Sequence, residues 1–401
     1  MGQIVSQFGD RLNQMALIAL VYQKAPGSTI ELAKLILFII IPVFIIGPIA
    51  GAYVDRWNRK HIMVVSDLLR GLLVLLIPLL IVFFDSNLPI YFLVFIIFSI
   101  TRFFLPSKMA IIPNIVAREQ LLVANSLSDT TRMIATVVSF GFAGILVSWV
   151  GVIGSFYIDS LTFFISAFLL STISLQKAGP KLKEEFLVAE KAIKDAIKSS
   201  IFRDIKEGVS YFVKLKKMRF VASIFFVLMS GIGAIFCVII VFVQESFGTV
   251  TSDLGLLAMF GGIGLFMGAL VYGRFGQKFP KNKVIFTSLI ASGIGIIVFT
   301  VLLGNSPSFA AASILSFIIG VFTSPIVVSS NTLVHEALPE DARGRVFSSL
   351  EVIIHMGFLV FMLVSSFLAE FVDRMWILIF VGITFTLCGI GGVALRGNRG
   401  R

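Results

Sequence analysis

Several charged side chains lie inside long apolar runs of this 401-residue chain. An ionisable group at membrane depth costs free energy and normally faces a protein interior or a wet cavity, so each is a candidate functional residue. The candidates are Asp10, Arg11, Arg102, Asp129, Arg132, Asp159, Glu351 and His355. Carboxylates and an imidazole in such places can bind and release a proton or contact a polar substrate.

Two carboxylates are candidates for proton coupling or substrate contact. Asp10 lies in "SQFGDRLNQM" and Asp159 lies in "YIDSLTFFISA". Each side chain could instead be a hydrogen-bond partner between helices, or pair permanently with Arg11 or Arg132. The sequence leaves these alternatives open.

Two further pairs have helical spacing. Glu351 and His355 are four residues apart and therefore share one helix face, where a carboxylate and an imidazole could relay a proton between about pH 5 and 8. The alternative is a polar pair at the membrane interface. Asp129 and Arg132 are three residues apart, and their simplest role is to neutralise each other.

The elements that position these residues are predicted to be membrane-spanning helices. Hydrophobic residues make up 57% of the chain and charged residues 14%, the mean hydropathy is +1.00, and apolar runs of about 20 residues recur along the whole length. The runs predict twelve spans near 3–23, 35–54, 62–84, 89–110, 121–149, 152–174, 219–244, 254–272, 283–303, 308–330, 346–369 and 375–395. The predicted fold class is an all-α membrane protein of two six-helix bundles.

This pattern divides the chain into three parts. Residues 1–174 form the first bundle, 175–217 an amphipathic linker, and 218–401 the second bundle with a short tail. The sequence has neither a phosphate-binding lysine loop nor a Cys/His metal set nor a nucleophile motif, so we expect no enzymatic activity, no cofactor and no metal.

Orientation follows from the distribution of lysine and arginine. The connections after the even-numbered spans are rich in these residues, whereas the opposite connections hold only Lys24, Lys34 and Arg374. The positive-inside rule therefore places both termini and the linker in the cytoplasm. The formal charge of +11 reflects this asymmetry, and we expect no nucleic-acid partner.

The two halves share sequence marks in the same order. "DRWNRK" at 55–60 aligns with "GRFGQK" at 273–278, and "EQLLVANSL" at 119–127 aligns more loosely with "EDARGRVFS" at 340–348. This order indicates a duplicated bundle. Pseudo-symmetric bundles of this kind commonly bind a solute near mid-membrane and expose it alternately to either side.

The chain resembles the major facilitator superfamily. "GAYVDRWNRK" at 51–60 matches the first cytoplasmic-loop pattern of that family, Gly-x-x-x-Asp-Arg-x-x-Arg-Lys, at every specified position. Further stretches resemble the branch of bacterial macrolide and multidrug exporters and the enterobactin exporter: "SQFGDRLNQMALIALVYQ", "IPNIVAREQLLVANSL", "YIDSLTFFISA" and "LPEDARGRVFS".

This resemblance implies a monomeric rocker-switch exporter in the inner (plasma) membrane. It would be driven by the proton gradient, as an antiporter, and would carry a small amphiphilic drug-like molecule. A siderophore or a lysophospholipid is the alternative cargo. A non-transporting membrane receptor or scaffold is the alternative of a different class.

The resemblance also implies a conformational latch at the cytoplasmic face. In the family the acid at the position of Asp55 interacts with the start of the eleventh span. The latch set is Gly51, Asp55, Arg56, Arg59, Lys60, Gly344 and Arg345. Arg102 could belong to the charge cluster around Asp55 or be structural. The alternative for the whole set is that its charges only end the second span and fix topology.

Overall fold

The structure is a computed structural model that describes residues 2–47, 49–50, 57–111, 121–172, 216–337 and 340–397. Regular structure in these ranges is helical. The α-helices are α1 (Gly2–Lys24), α2 (Thr29–Ile45), α3 (Arg59–Phe83), α4 (Leu88–Ile111), α5 (Leu121–Ser171), α6 (Lys216–Phe247), α7 (Ser252–Phe275), α8 (Lys281–Asn305), α9 (Phe309–Ala337), α10 (Glu340–Leu368) and α11 (Arg374–Gly397). A 3₁₀ turn, Gly276–Lys278, follows α7.

The start of α3 shows how the sequence sets a helix boundary. Asn58 has extended backbone angles, and its side chain accepts hydrogen bonds from the backbone N–H groups of Lys60 and His61. Such a cap satisfies donors that have no partner inside the helix. The apolar run that follows then continues to Phe83.

Helix α5 is broken at a single glycine. Its 51 residues would extend about 76 Å as one straight helix, more than twice the hydrocarbon thickness of about 30 Å. Gly151 has φ 75° and ψ 174°, a backbone conformation that residues with a Cβ rarely adopt. It divides α5 into α5a (121–150) and α5b (152–171), at the boundary between the fifth and sixth predicted spans.

Nine helices in the described ranges are long and apolar enough to cross a membrane, with the continuous stretch Thr130–Ser171 counted once. Helix α2 is not among them because it has only 17 residues. Helix α1 is not among them because the polar and charged residues of its first half lower its hydropathy. The all-helical membrane fold is thus observed, and the count of twelve spans stays a prediction.

The chain forms two compact units. Unit 1 comprises Met1–Lys24 with Lys34–Ile201, and unit 2 comprises Ala25–Ala33 with Phe202–Arg401. In unit 1, α5 packs against α1 and α3, and α3 also packs against α4. In unit 2, the closest helix pairs are α7 with α9, α8 with α11, α6 with α10, and α8 with α9. The predicted linker lies almost entirely outside the described residues.

Residues 25–33 join unit 2 through polar contacts with its helix ends. Arg374 donates to the carbonyl oxygen of Gly27 at 2.6 Å and to Glu245 at 2.8 Å. The hydroxyl of Thr29 donates to the carbonyl oxygen of Ser366 at 2.8 Å. These contacts explain why the unit boundary falls inside α2.

Glycines allow α7 and α9 to approach closely. A Cβ on Gly264 would collide with the backbone carbonyl oxygen of Phe317, and a Cβ on Gly320 would collide with that of Gly261. Small residues commonly permit this kind of contact between membrane helices, where tight van der Waals packing drives association.

The close approach predicts that Gly264→Ala destabilises unit 2 by about 1–3 kcal/mol, because the backbone of α9 must move. Gly273→Ala is the matched control in the same helix, since no heavy atom lies within 4 Å of a Cβ there. It should be neutral or slightly stabilising. Thermal unfolding of the purified protein in detergent measures both. Equal melting temperatures for the two variants would contradict close packing at Gly264.

Candidate functional site

Helices α1, α3, α4 and α5b bring six ionisable side chains of unit 1 into one layer. They are Asp10, Arg11, Asp67, Arg70, Arg102 and Asp159. Each lies 8 to 12 residues from the helix end that the sequence predicts to be cytoplasmic. At a rise of about 1.5 Å per residue, this places the layer roughly 12–18 Å from those ends.

Arg70 is at the centre of this layer. Its side chain is 1% exposed and forms an ion pair with the fully buried carboxylate of Asp67. Its Nη1 atom also lies 3.7 Å from Oδ1 of Asp10. The guanidinium lies over the rings of Phe104 and Phe163, with Cζ 4.7 and 4.4 Å from the ring centroids. These aromatic faces attract the cation and keep water away, which strengthens its ion pairs.

Asp159 is held by neutral hydrogen-bond donors. Its carboxylate is fully buried and accepts a 2.6 Å hydrogen bond from the side-chain amide of Asn13. The hydroxyl of Thr162 lies 3.5 Å from its other oxygen. Gly9 makes this approach of α1 to α5b possible, because a Cβ there would collide with Thr162 and lie 2.5 Å from Oδ1 of Asp159. Asp159 therefore ties α1 to α5b.

Asp10 differs from the other two carboxylates because the surrounding protein does not cover its side chain completely. Its side chain is 31% exposed, whereas those of Asp67 and Asp159 are buried. Three arginines, Arg70, Arg11 and Arg102, interact with it electrostatically. A partly exposed carboxylate that is surrounded by cations on three helices can, where water reaches it, exchange a proton and change the charge balance of the layer.

Arg11 and Arg102 also have partners of their own. Arg11 donates to the side-chain oxygen of Gln14 at 2.6 Å, and its Cζ lies 4.8 Å from the centroid of the Phe140 ring. Nε of Arg102 donates to the backbone carbonyl oxygen of Phe98 at 3.5 Å. Both side chains are partly buried, and both interact electrostatically with Asp10.

Comparison with known proteins identifies this architecture. The chain matches the family profile of the Major Facilitator Superfamily over residues 1–236 and 220–400. The chain belongs to the Major Facilitator Superfamily. The family resemblance seen in the sequence is thereby confirmed. The protein is a membrane transporter rather than an enzyme, and transporters of this superfamily move small molecules.

Two curated relatives align over most of the transporter. It is 23% identical over 417 residues to the uncharacterized MFS-type transporter YfiS of Bacillus subtilis (strain 168), covering 99% of this chain and 91% of that protein. It is 24% identical over 375 residues to macrolide efflux protein A of Streptococcus pyogenes, covering 92% and 88%.

A solved structure shows the same fold. It is that of a bacterial homologue of the iron transporter ferroportin in an inward-facing state, with a TM-score of 0.70 at 13% identity, covering 98% of this chain and 96% of that one.

The predicted pair in α10 of the transporter lies in unit 2. The Nδ1 atom of His355 lies 2.8 Å from the backbone carbonyl oxygen of Glu351. The side chain of Glu351 is exposed. Neither residue belongs to the charged layer of unit 1.

The predicted pair in α5a is described only in part. Arg132 is exposed, and the side chain of Asp129 lies outside what the structure describes. Their mutual neutralisation stays a prediction.

The latch set is likewise described only in part. Gly51, Asp55 and Arg56 lie outside the described residues. For Gly344 and Arg345 the structure describes only the helical backbone of α10. Arg59 and Lys60 form the first turn of α3, where the Lys60 ammonium donates to the backbone carbonyl oxygen of Ser171 at 2.6 Å. This contact joins the ends of α3 and α5b, and the latch itself stays a prediction.

Sequence reasoning missed Asp67 and Arg70. Both lie inside the third predicted span, where the surrounding "HIMVVSDLLRGLLVLL" is almost entirely apolar. Their spacing of three residues places opposite charges on one helix face, which is the signal that was recognised for Asp129 and Arg132. The same spacing test applied to every span would have found this pair.

Proposed function

We propose that this transporter exports small amphiphilic, drug-like molecules and that the proton gradient drives it. The observation that carries the proposal is the position of Asp10, a partly exposed carboxylate in the charged layer of unit 1 and next to Arg70. Placing an ionisable group at this depth costs free energy, and in membrane transporters such groups form part of ion or proton pathways.

The three carboxylates of the layer have different surroundings, and this difference supports Asp10 as the coupling residue. Asp67 and Asp159 are buried and are held by Arg70 and Asn13 respectively. Protonation of Asp67 would weaken its buried ion pair with Arg70, and neither Asp67 nor Asp159 is exposed to water that could supply a proton. Asp10 is partly exposed, so we place the exchange of a proton with water at this carboxylate.

The cargo class comes from the relatives. Macrolide efflux protein A of Streptococcus pyogenes is named for macrolide efflux, and it aligns over 92% of this chain. A siderophore and a lysophospholipid are the alternative cargoes, and a non-transporting receptor is the alternative of a different class. We further propose that the transporter is a monomer and works by a rocker-switch mechanism, in which two six-helix bundles expose the cargo alternately to either side of the membrane.

The proposed topology has twelve crossings with both termini in the cytoplasm. Nine of these crossings are the helices of the described ranges that are long and apolar enough to cross a membrane. The other three are α1, α2 and a second crossing of α5. The break at Gly151 supports two crossings by α5. The distribution of lysine and arginine supports the orientation.

Transport in reconstituted vesicles tests the proposal. For transporters inserted with the cytoplasmic face outward, an acidic lumen should drive accumulation of a macrolide or a cationic dye several-fold above protein-free vesicles, and a protonophore should abolish it. Uptake of a macrolide that is independent of the pH difference would contradict proton coupling. If only a siderophore or a lysophospholipid were transported, that molecule would be the cargo class instead. If none of the three classes were transported, the alternative of a non-transporting receptor would be favoured.

A further inference from the structure

Arg70 faces two carboxylates on two different helices. Asp67 belongs to its own helix, α3, and forms the shorter contact. Asp10 belongs to α1, and its Oδ1 atom lies 3.7 Å from Nη1. The Asp10 contact is within ion-pair range but longer than a well-formed charge-assisted hydrogen bond of about 2.7–2.9 Å.

The surroundings of Arg70 allow a small shift of the guanidinium. The group lies over the rings of Phe104 and Phe163, which attract it without fixing hydrogen-bond directions. Its Nε atom is buried and has no hydrogen-bond partner among the described residues. The guanidinium can therefore turn between its two carboxylates without losing other hydrogen bonds of this part of the molecule.

We propose that Arg70 is a positioning residue that transmits the charge of Asp10 on α1 to α3. When Asp10 is ionised, Arg70 is shared between Asp10 and Asp67 and holds α1 against α3. When Asp10 takes a proton from water, its attraction for Arg70 falls and Asp67 alone retains the guanidinium. Return of the proton to water restores the shared state. This inference rests on the proposed role of Asp10 as the coupling carboxylate.

The other charged groups around Asp10 have different partners. Arg11 on the same helix contacts Gln14 and Phe140, and Arg102 on α4 donates to a backbone carbonyl. Asp159 on α5b accepts from Asn13. Among the charged groups named for this layer, Arg70 is the one placed between two carboxylates, so Asp67 competes directly with Asp10 for it.

Infrared difference spectroscopy of the purified full-length protein in detergent tests this competition. The carboxylic-acid band of Asp10 is assigned by its loss in Asp10→Asn and is followed as pH is varied. Asp67→Asn removes the competing charge and leaves Arg70 to Asp10, so the half-titration pH of Asp10 should fall by about one pH unit. Arg70→Lys keeps the charge but shortens the reach and loses the planar fork, so that pH should rise.

Asp253→Asn in α7 is the matched control, because it makes the same chemical change in unit 2 and should leave the Asp10 band unaltered. Shifts in opposite directions for Asp67→Asn and Arg70→Lys support the proposal. An unshifted band in Arg70→Lys, or shifts in the same direction, overturn it. If Asp67→Asn does not accumulate as folded protein, Arg70→Lys decides alone.

The titration tests the role of Arg70, and the vesicle assay tests proton coupling, so the two proposals can be contradicted independently. If the half-titration pH of Asp10 shifts in opposite directions in the two variants but uptake does not depend on the pH gradient, the role of Arg70 is supported and proton coupling is contradicted. Gradient-driven uptake without these shifts would keep proton coupling and remove the role of Arg70.

Discussion

Asp10→Asn should reduce gradient-driven uptake to the level of protein-free vesicles while the amount of folded protein in the membrane stays close to that of the native chain. The substitution removes the ionisable group and keeps its shape. The fold should survive because Arg70 retains its contact with Asp67, and because the Asp10 side chain is 31% exposed and not enclosed in the core. The loss should therefore concern coupling alone.

Exchange without a gradient separates coupling from cargo binding. If Asp10 carries the proton, Asp10→Asn vesicles preloaded with unlabelled cargo should still exchange it for labelled cargo. Asp253→Asn, the matched change in unit 2, should keep both activities. Loss of exchange together with uptake would place Asp10 in the cargo site. Full retention of gradient-driven uptake would remove Asp10 from the mechanism and direct the same test to Asp159 and Glu351.

Helix positions were predictable because the membrane imposes a simple rule. Backbone polar groups cannot remain unsatisfied in hydrocarbon, so each apolar run of sufficient length is helical. Even the interruption near 150–151 was visible as a boundary between runs, and Gly151 supplies the backbone angles there. Asn58 before the third span is a recognisable helix cap for a similar local reason.

Helix α1 shows where this rule has less power. Its first half carries Asp10, Arg11, Asn13 and Gln14, and it is absent from the set of helices judged apolar enough to cross a membrane. All four of these polar groups have partners inside unit 1. Asp10 faces Arg70, and Asn13 donates to Asp159. Arg11 donates to Gln14 and interacts with Phe140. Hydropathy alone cannot distinguish a polar helix end from a polar helix face that is satisfied by its neighbours.

The composition of the charged layer depends on tertiary packing that no local pattern specifies. Asn13 and Asp159 are 146 residues apart in sequence, and their hydrogen bond exists because Gly9 lets α1 approach α5b. Asp10 and Asp159 could be selected as candidates from their depth, yet their different exposures could not be predicted. Exposure follows from how α1, α3 and α5b pack, and it is the property on which the proposed proton role of Asp10 rests.

Arg70→Met should be the most destabilising single change in this layer. It leaves the carboxylate of Asp67 charged, fully buried and without its cation, and breaking a buried ion pair in this way costs about 3–5 kcal/mol. The melting temperature of the purified protein in detergent should fall by several degrees. Lys281→Met is a useful comparison, because it breaks an ion pair with Glu336 in which both side chains are substantially exposed. Such a surface pair contributes about 0–1 kcal/mol.

Replacing both partners should recover most of the lost stability. In Asp67→Leu/Arg70→Met no buried charge remains unpaired, since Asp10 is partly exposed and can be hydrated. Buried ion pairs replaced by apolar residues of similar volume are often neutral or more stable. Such a protein should melt near the native temperature and still fail to couple transport to pH, because the guanidinium that senses Asp10 is gone. If the double variant were as unstable as Arg70→Met, packing of the long side chain between Phe104 and Phe163 would be its main contribution. If it were stable and fully coupled, Arg70 would have no part in transport.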